Sequence, residues 1–415
     1  MPEKKKKFKY KPLSLKDILR EMKQNIDLMI DLAYSAIKFS SKELAEEVSK
    51  IEKRIHELTF LLNVQIVQTH VGGFEEAKKL EPIVVMGYSI DKISDALADI
   101  AKVVFINSNI SEFTQLFWDE VPEPIVKITV KEGCEFINKP RREIHFRSWH
   151  GVDLIAIRRD NNWLFSKDDI ILKDDILIVK GELEPIREVR KIALDDEEIT
   201  FDLEREQKEP EFDLKNPEIL EYLQDLKKDY IQITDISETM IELALASLFF
   251  NSYEVAEDVI EMEELMDGLN ISFEKDLLDF AHILESTRSL TGIMRIIFSC
   301  EQIADAAAHI AENILKGFEP HNILQKAIQE TLEIVVRETL SYDSFFKGKT
   351  YKELQNKRYK RGFHIIALKR EDKWIYSFKP EFIFNQGDLL IGLGPKETVD
   401  QWRKCVNPKY DEEET

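Results

Sequence analysis

Residues 153–163 read DLIAIRRDNNW, and residues 364–374 read HIIALKREDKW. Ile155, Ala156, Arg159 and Trp163 return identically as Ile366, Ala367, Arg370 and Trp374 at an offset of 211, and most other pairs are conservative. The same offset carries Ala45-Glu46-Glu47-Val48, followed by Glu52, onto Ala256-Glu257-Asp258-Val259, followed by Glu263. An offset of 210 carries Asp91-Lys92-Ile93-Ser94-Asp95-Ala96 onto Glu301-Gln302-Ile303-Ala304-Asp305-Ala306. Three anchors of different structural type that hold one spacing mark a tandem duplication, because self-similarity at a fixed period is the signature of a repeated unit.

Upstream of each quoted segment the hydrophobic period is helical. Behind Ser14, a fitting N-cap, Ile18, Met22, Ile26, Met29, Ile30 and Ala33 recur at spacings of three and four. A second helix is expected from about Lys42 through Ile51, Ile55 and Leu58, and a third from about Glu75 to Val104. The second unit repeats them at about Leu226–Phe250, Glu254–Leu269 and Asp276–Leu315. Each unit thus opens with a bundle of three or so amphipathic helices. After Pro122 and Pro124 the period changes to two, with Ile125 to Val130 alternating and β-branched. There follow a short helix around Arg142–Phe146, a strand Val152–Arg158, a short strand after Asn161-Asn162, and a strand Ile176–Val179 ended by Gly181. The second copy supplies Glu333–Thr339, Thr350–Lys357, His364–Lys369, Trp374–Ser377 and Leu389–Leu393, so both give the order β-α-β-β-β.

The expected fold class is therefore α+β and multidomain, with antiparallel helical bundles alternating with small β-α-β-β-β modules. The expected organisation is a basic N-terminal arm at 1–13, a bundle at 14–110, a module at 122–192 and an acidic linker at 193–215 broken by Pro210. A second bundle at 216–318, a second module at 332–406 and an acidic tail at 407–415 complete it.

Composition narrows the function classes. The balance of 58 basic to 79 acidic residues, a formal charge of −21, disfavours nucleic acid, whose phosphates need a cationic face. Three cysteines, Cys134, Cys300 and Cys405, form no CxxC pair and sit in no Cys/His cluster, which fits a reducing cytosol and argues against a disulfide framework or thiolate zinc. No stretch approaches the roughly eighteen apolar residues of a membrane span. Lys4 to Lys7 with Lys9 and Lys11 have no apolar stretch behind them, so this segment reads as a basic arm or an electrostatic tether to an anionic membrane, not as a signal peptide.

At these residues the chain resembles two families. Glu301-Gln302-Ile303-Ala304-Asp305-Ala306-Ala307-Ala308-His309-Ile310-Ala311, and less fully Asp91 through Ala101, are similar to the signature of PhoU-type bundles, which carry acidic E/D-x-x-x-D pairs on neighbouring helices. Gly348-Lys349 with Glu353-Leu354, the strand Ile365 to Arg370, and Gln386-Gly387-Asp388-Leu389-Leu390-Ile391-Gly392 resemble the C-terminal module of RCK regulators of potassium transport, called RCK_C or TrkA-C. The first copy matches through Lys139, Glu143-Ile144, Leu154 to Arg159 and Lys173-Asp174-Asp175-Ile176-Leu177-Ile178, with Asp174 where the turn normally has Gly. No GxGxxG follows a strand, so NAD or ATP binding through a Rossmann half is excluded.

Two candidate sites follow. Glu263 and Asp267 are four apart, as are Glu301 and Asp305, so two packed helices would converge four carboxylates suited to a divalent metal ion. The first-copy counterparts are Glu52, Asp91 and Asp95, with the departure His56; the alternative is ordinary acidic residues on solvated faces. In the modules, the resemblance implies a dimer cleft that binds cyclic di-AMP in some members. There Ile155, Ala156, Ile366 and Ala367 would meet adenine, and Arg158, Arg159, Lys369 and Arg370 would meet phosphate. Another small effector, or a plain buried strand with basic ends, remains the alternative. The dimer is either between chains, a homodimer, or intramolecular between the two modules.

Scattered His145, His150, His282, His309 and His321, and no G-x-S-x-G, offer no nucleophile motif, so the chain is read as a non-enzyme. The resemblance implies a cytosolic regulatory subunit, peripheral at the membrane through a potassium channel or transporter of cations, that senses a small effector through its RCK_C modules. The alternatives are a PhoU-like regulator of phosphate uptake acting on a phosphate transport system, a metal-dependent phosphate-ester hydrolase, and a scaffold with no ligand.

Overall fold

The computed structural model describes residues 13–68, 73–106, 125–160, 162–166, 168–181, 183–195, 217–284, 287, 290–317, 333–355, 364–371, 373–376, 378–379 and 381–408. The basic arm before residue 13, the linker from 196 to 216 and the tail beyond 408 lie outside them.

The first bundle comprises α1 (Leu15–Lys38), α2 (Lys42–Gln68), the short α3 (Phe74–Lys78) and α4 (Glu81–Ile106). Ser14 caps α1, its hydroxyl accepting the Asp17 N–H at 3.1 Å, and the stripe Ile18, Met22, Ile26, Met29 and Ala33 is fully buried. The single helix expected from Glu75 is instead broken at Lys79-Leu80. Pro82 has no N–H to give and is tolerated in the first turn of a new helix, not in the interior of an old one.

The second bundle comprises α8 (Pro217–Phe250), α9 (Tyr253–Ile283) and α10 (Leu290–Leu315), numbered after the first module below. The break expected between Leu269 and Asp276 is absent. Gly268 and Asn270 are poor helix formers, but buried Asn270, Phe273, Leu277 and Phe280 keep one stripe against the core, and that packing overrides propensity. The third helix accordingly starts at Leu290. Helices α1, α2 and α4 pack on one another, as do α8, α9 and α10, and α4 joins the two sets by lying along α10. Alanines at 96, 98, 101, 304, 307 and 311 are buried on these two helices and permit close approach. Between the copies, the Tyr34 hydroxyl lies 3.4 Å from Ser237 Oγ and 3.7 Å from Cys300 Sγ.

The first α/β module runs β1 (Ile125–Thr129), α5 (Arg141–Ile144), α6 (Phe146–His150), β2 (Val152–Arg159), β3 (Asn162–Leu164), β4 (Ile176–Gly181) and α7 (Leu183–Ala193). The second runs β5 (Glu333–Thr339), α11 (Tyr351–Gln355), β6 (His364–Arg370), β7 (Lys373–Ile375), β8 (Leu389–Pro395) and α12 (Lys396–Val406). Both sheets are antiparallel, in the orders β1-β4-β2-β3 and β5-β8-β6-β7. The closing helices α7 and α12 were not expected from the sequence. They cover one sheet face, placing Ile186, Val189 and Ala193, and Val399, Trp402 and Val406, in the two module cores.

The other sheet face lies on the helices. The register of β2 slips between Leu154 and Ala156, and that of β6 between Ile365 and Ala367, so each strand carries a β-bulge at the same repeat position. Leu154 and Ile157 enter the module core, whereas Ile155 and Ala156 join the core of the bundles. Leu368 and Ala367 divide in the same way. Among the described residues no helix is long and apolar enough to cross a membrane, and all three cysteines are free thiols.

Ala307 is fully buried on α10, the helix that packs against α4, α8 and α9. Ala307→Leu overpacks this junction and is expected to cost about 1–3 kcal/mol, read as a lower urea midpoint with an unchanged slope.

Candidate functional site

The residues expected to meet an effector serve three different surfaces. Arg159 and Arg370 turn toward the loop before the last strand. Arg159 Nε and Nη2 each donate to Asp175 at 2.7 and 2.6 Å, and Nη2 also donates to the Ile170 carbonyl at 2.6 Å. Arg370 does the same with Asp388, at 2.7 and 2.8 Å, and with the Ile383 carbonyl at 2.7 Å. Both aspartates are buried and accept one more backbone N–H, from Leu172 and from Asn385. The turn ahead of them has positive φ in both copies, +67° at Asp174 and +86° at Gly387, so Asp174 adopts the glycine-like geometry. Sequence reading missed these two clamps; their signal was an Arg at the end of the quoted strand and an Asp before the next apolar strand in both repeats.

Ile155, Ala156 and Ala367, expected to meet adenine, are buried against the helices, and Ile366 is partly buried against the same core. No strand pairing joins the two modules among the described residues; each sheet sits on helices instead. Ion pairs rim that seat. Lys180 reaches Glu238 of α8 at 3.1 Å and Asp31 of α1 at 3.8 Å. In the second copy Arg337 pairs with Asp258 at 2.7 Å, and Lys369 pairs with Glu261, both acids lying on α9. Burial pushes the Asp258 carboxyl up and Arg337 opposes the shift. Arg158 instead lies over the Trp163 ring, 5.5 Å from its centroid.

The acidic faces form two unlike sets. On α9 and α10, burial is the first cause that raises the pKa of Glu263, Glu301 and Asp305, and repulsion among these residues and Asp267 adds to it. Lys92 of α4 opposes the rise at Asp305. The four carboxylates thus share one electrostatic neighbourhood, yet no three His, Cys, Asp or Glu side chains among the described residues converge closely enough to hold a metal ion. In the first copy the matching groups have hydrogen-bonding partners. His56 Nε2 is 2.9 Å from Asp95 and 3.7 Å from Asp91, Thr59 donates to Asp91 at 3.3 Å, and Glu52 receives Lys102 at 3.4 Å. A divalent ion does not fit either donor set as it stands.

Two tests follow from these contacts. Asp388 is buried while Arg370 is partly exposed, so Asp388→Ala removes the acceptor shared by Arg370 and the Asn385 N–H and is expected to cost about 1–3 kcal/mol; urea denaturation measures it. Because Asp305 binds its proton more tightly folded than unfolded, the group favours the fold at low pH, and that contribution disappears as pH rises through its folded pKa. Asp305→Asn is therefore expected to raise Tm by about 2 °C at neutral pH, with the gain vanishing below the ordinary carboxylate range in calorimetric scans.

Comparison with known proteins places these parts. The model of the PhoU domain matches residues 19–104 and 230–314, and the model of the TrkA-C domain matches residues 125–194. No curated protein matches the chain. Among solved structures, the GsuK channel bound to NAD is 13% identical, covering 78% of this chain and 66% of that one at a TM-score of 0.16. The GsuK RCK domain is 12% identical, covering 77% of this chain and 79% of that one, also at 0.16. The chain belongs with proteins that join PhoU bundles to a TrkA-C domain: two PhoU domains, one TrkA-C domain at 125–194, and after the second bundle another module of the same sheet order.

Proposed function

We propose that the chain is a regulatory subunit of a potassium transport system, in which an event at the TrkA-C-type modules is passed to the PhoU bundles and from them to a membrane partner. The observation that carries the reading is the seat of the modules. Ile125, Ile155, Ala156 and Ile178 of one sheet, and Ala367 and Ile391 of the other, belong to the same buried cluster as the bundle helices. A module cannot shift without uncovering part of that cluster, so module and bundle share one conformational equilibrium. A ligand changes that equilibrium only through different affinity for its two states.

The two PhoU domains favour a second reading, regulation of phosphate uptake. Neither reading assigns a catalytic step, and the carboxylates offer no converged donor set to a hydrolase metal. Deleting the coding sequence and measuring radioactive rubidium and phosphate uptake in the same cells separates the two. Altered rubidium uptake with unchanged phosphate uptake is expected; the reverse result transfers the function to phosphate, and no change in either overturns both.

A further inference from the structure

Two stripes of residues run along the outer side of α9 and α10. Glu263, Asp267, Ile271, Glu274 and Leu278 follow one another on α9 at spacings of three and four, as do Met294, Phe298, Glu301 and Asp305 on α10. Ile271, Leu278, Met294 and Phe298 are 47–58% exposed. Beside them opens a cavity of about 260 Å³, lined by the buried Phe273 and Leu277, by Met294 and Phe298, and by Glu274 and Arg295. Single exposed apolar residues are ordinary, but a stripe of them around a cavity marks an interaction surface. The first bundle carries the same pattern. Phe60 and Val67 stand at the offset of 211 from Ile271 and Leu278, Val84 and Tyr88 stand at 210 from Met294 and Phe298, and all four are exposed.

The apolar part of this face passes directly into carboxylates. Burial chiefly raises the Glu301 carboxyl, and Glu274, which lines the cavity, adds repulsion to it after Asp305 and Asp267. Asp305, Asp267 and Glu263 extend the negative charge along both helices. Against these carboxylates stand Arg295 at the cavity and Lys92 of α4 beside Asp305, so the face keeps a negative balance. A second copy of the chain would bring like charges together here, and an anionic membrane would be repelled in the same way. A helix that is apolar toward one end and cationic toward the other complements the face in both respects.

We propose that the groove between α9 and α10 docks an amphipathic helix of a partner protein, its apolar side chains seated at Met294 and Phe298 and its lysines or arginines one to two turns along, against Glu263, Asp267, Glu301 and Asp305. From Leu278 back to Glu263 the groove is about 22 Å long, which a helix of about fifteen residues covers. Met294, unbranched and polarizable, lets the cavity adapt to the side chain it receives. That the partner is a transport protein rests on the transport reading; the docking does not, and it is tested without a transporter.

The probe is a fluorescent peptide of about fifteen residues, with leucines at helical spacing and lysines grouped toward one end, titrated with the full-length protein and followed by anisotropy. Saturable binding is expected, weakened about tenfold or more by Phe298→Ser and by Met294→Ser, and retained by Phe298→Leu. The Glu301→Gln, Asp305→Asn double variant should weaken it roughly threefold. Tyr342→Ser, which removes an exposed aromatic from the second module, should leave it unmoved. Thermal melts establish that each variant is folded. No binding overturns the proposal, as does binding that ignores Phe298→Ser and Met294→Ser. So does equal affinity for a peptide with glutamates in place of the lysines, or for one whose leucines are scrambled out of helical period. Three further results overturn it by naming another occupant. Sedimentation with phosphatidylglycerol vesicles that Phe298→Ser abolishes names a membrane surface, and a dimer in analytical ultracentrifugation that Phe298→Ser disperses names a second copy. Peptide affinity that rises about tenfold on deleting residues 1–12 names the chain's own basic arm.

Discussion

Leu154, Ile155, Ala156 and Ile157 stand in succession on β2, and four apolar residues in a row cannot be covered by a layer on one side of a sheet. The bulge turns the two central residues together toward the bundle and leaves the outer two for the module core. Arg141, partly buried, supports that kink by donating to the Ile155 carbonyl at 3.2 Å and the Phe165 carbonyl at 3.4 Å. Burial alone holds its guanidinium below the ordinary range, so the charge is retained there against a desolvation cost. A module released from the helices would expose these residues at about 25 cal/mol for each Å² of apolar surface. The module therefore needs its bundle as a third layer, and the alternation of bundle and module along the chain follows from that need.

The two copies satisfy this constraint with different polar rims. In the second, Asp258 is buried and holds Arg337, and Glu261 holds Lys369, so the seam is tied to α9 at two points. In the first, Lys180 carries the tie, to α1 of its own bundle and to α8 of the other. Charge-assisted contacts of this kind fix register more than they add stability, because their Coulomb gain is offset by desolvation. The first module is consequently registered against both bundles and the second against one. The same divergence appears on the acidic faces, where His56 and Lys102 contact the carboxylates of the first copy while Glu263, Asp267, Glu301 and Asp305 repel one another in the second.

Much of this was legible in the sequence because it rests on period. The stripe Ile18 to Ala33, the change to alternation at Ile125 and the returning DLIAIRRDNNW segment fix helices, strands and duplication without any knowledge of partners. The misreadings arose where tertiary packing decides. Gly268 and Asn270 weaken the helix locally, yet α9 continues because Phe273 and Leu277 are buried. The closing helices are 11 residues each and carry a helical period, Ile186, Val189 and Ala193 in one and Val399, Trp402 and Val406 in the other, which the sequence reading passed over. Arg159 and Arg370 were legible as cations but not as partners of Asp175 and Asp388. On the acidic helices the spacing of four correctly put each pair on one face, but it says nothing of the distance between helices, on which a metal site depends.

The duplication also joins the copies at their centre. Tyr34 of α1 meets Ser237 of α8 and Cys300 of α10 in a fully buried contact, and burial pushes the Cys300 thiol up to about 11, so it stays protonated and unreactive. This small polar contact sits within one apolar cluster that reaches from the sheet face of the first module, through both bundles, to that of the second. A close-packed interior does not deform by degrees; it changes by moving between discrete packings. Coupling between the modules therefore involves the packing of α4 along α10, the most extensive contact between the bundles, together with the Tyr34 contact of α1 with α8 and α10. Close-packed alanines permit sliding between two arrangements more readily than interlocked large side chains, because they present fewer steric barriers. The transport reading thus places its mechanical demand on a particular pair of helices, with the modules acting as the handles that bias them.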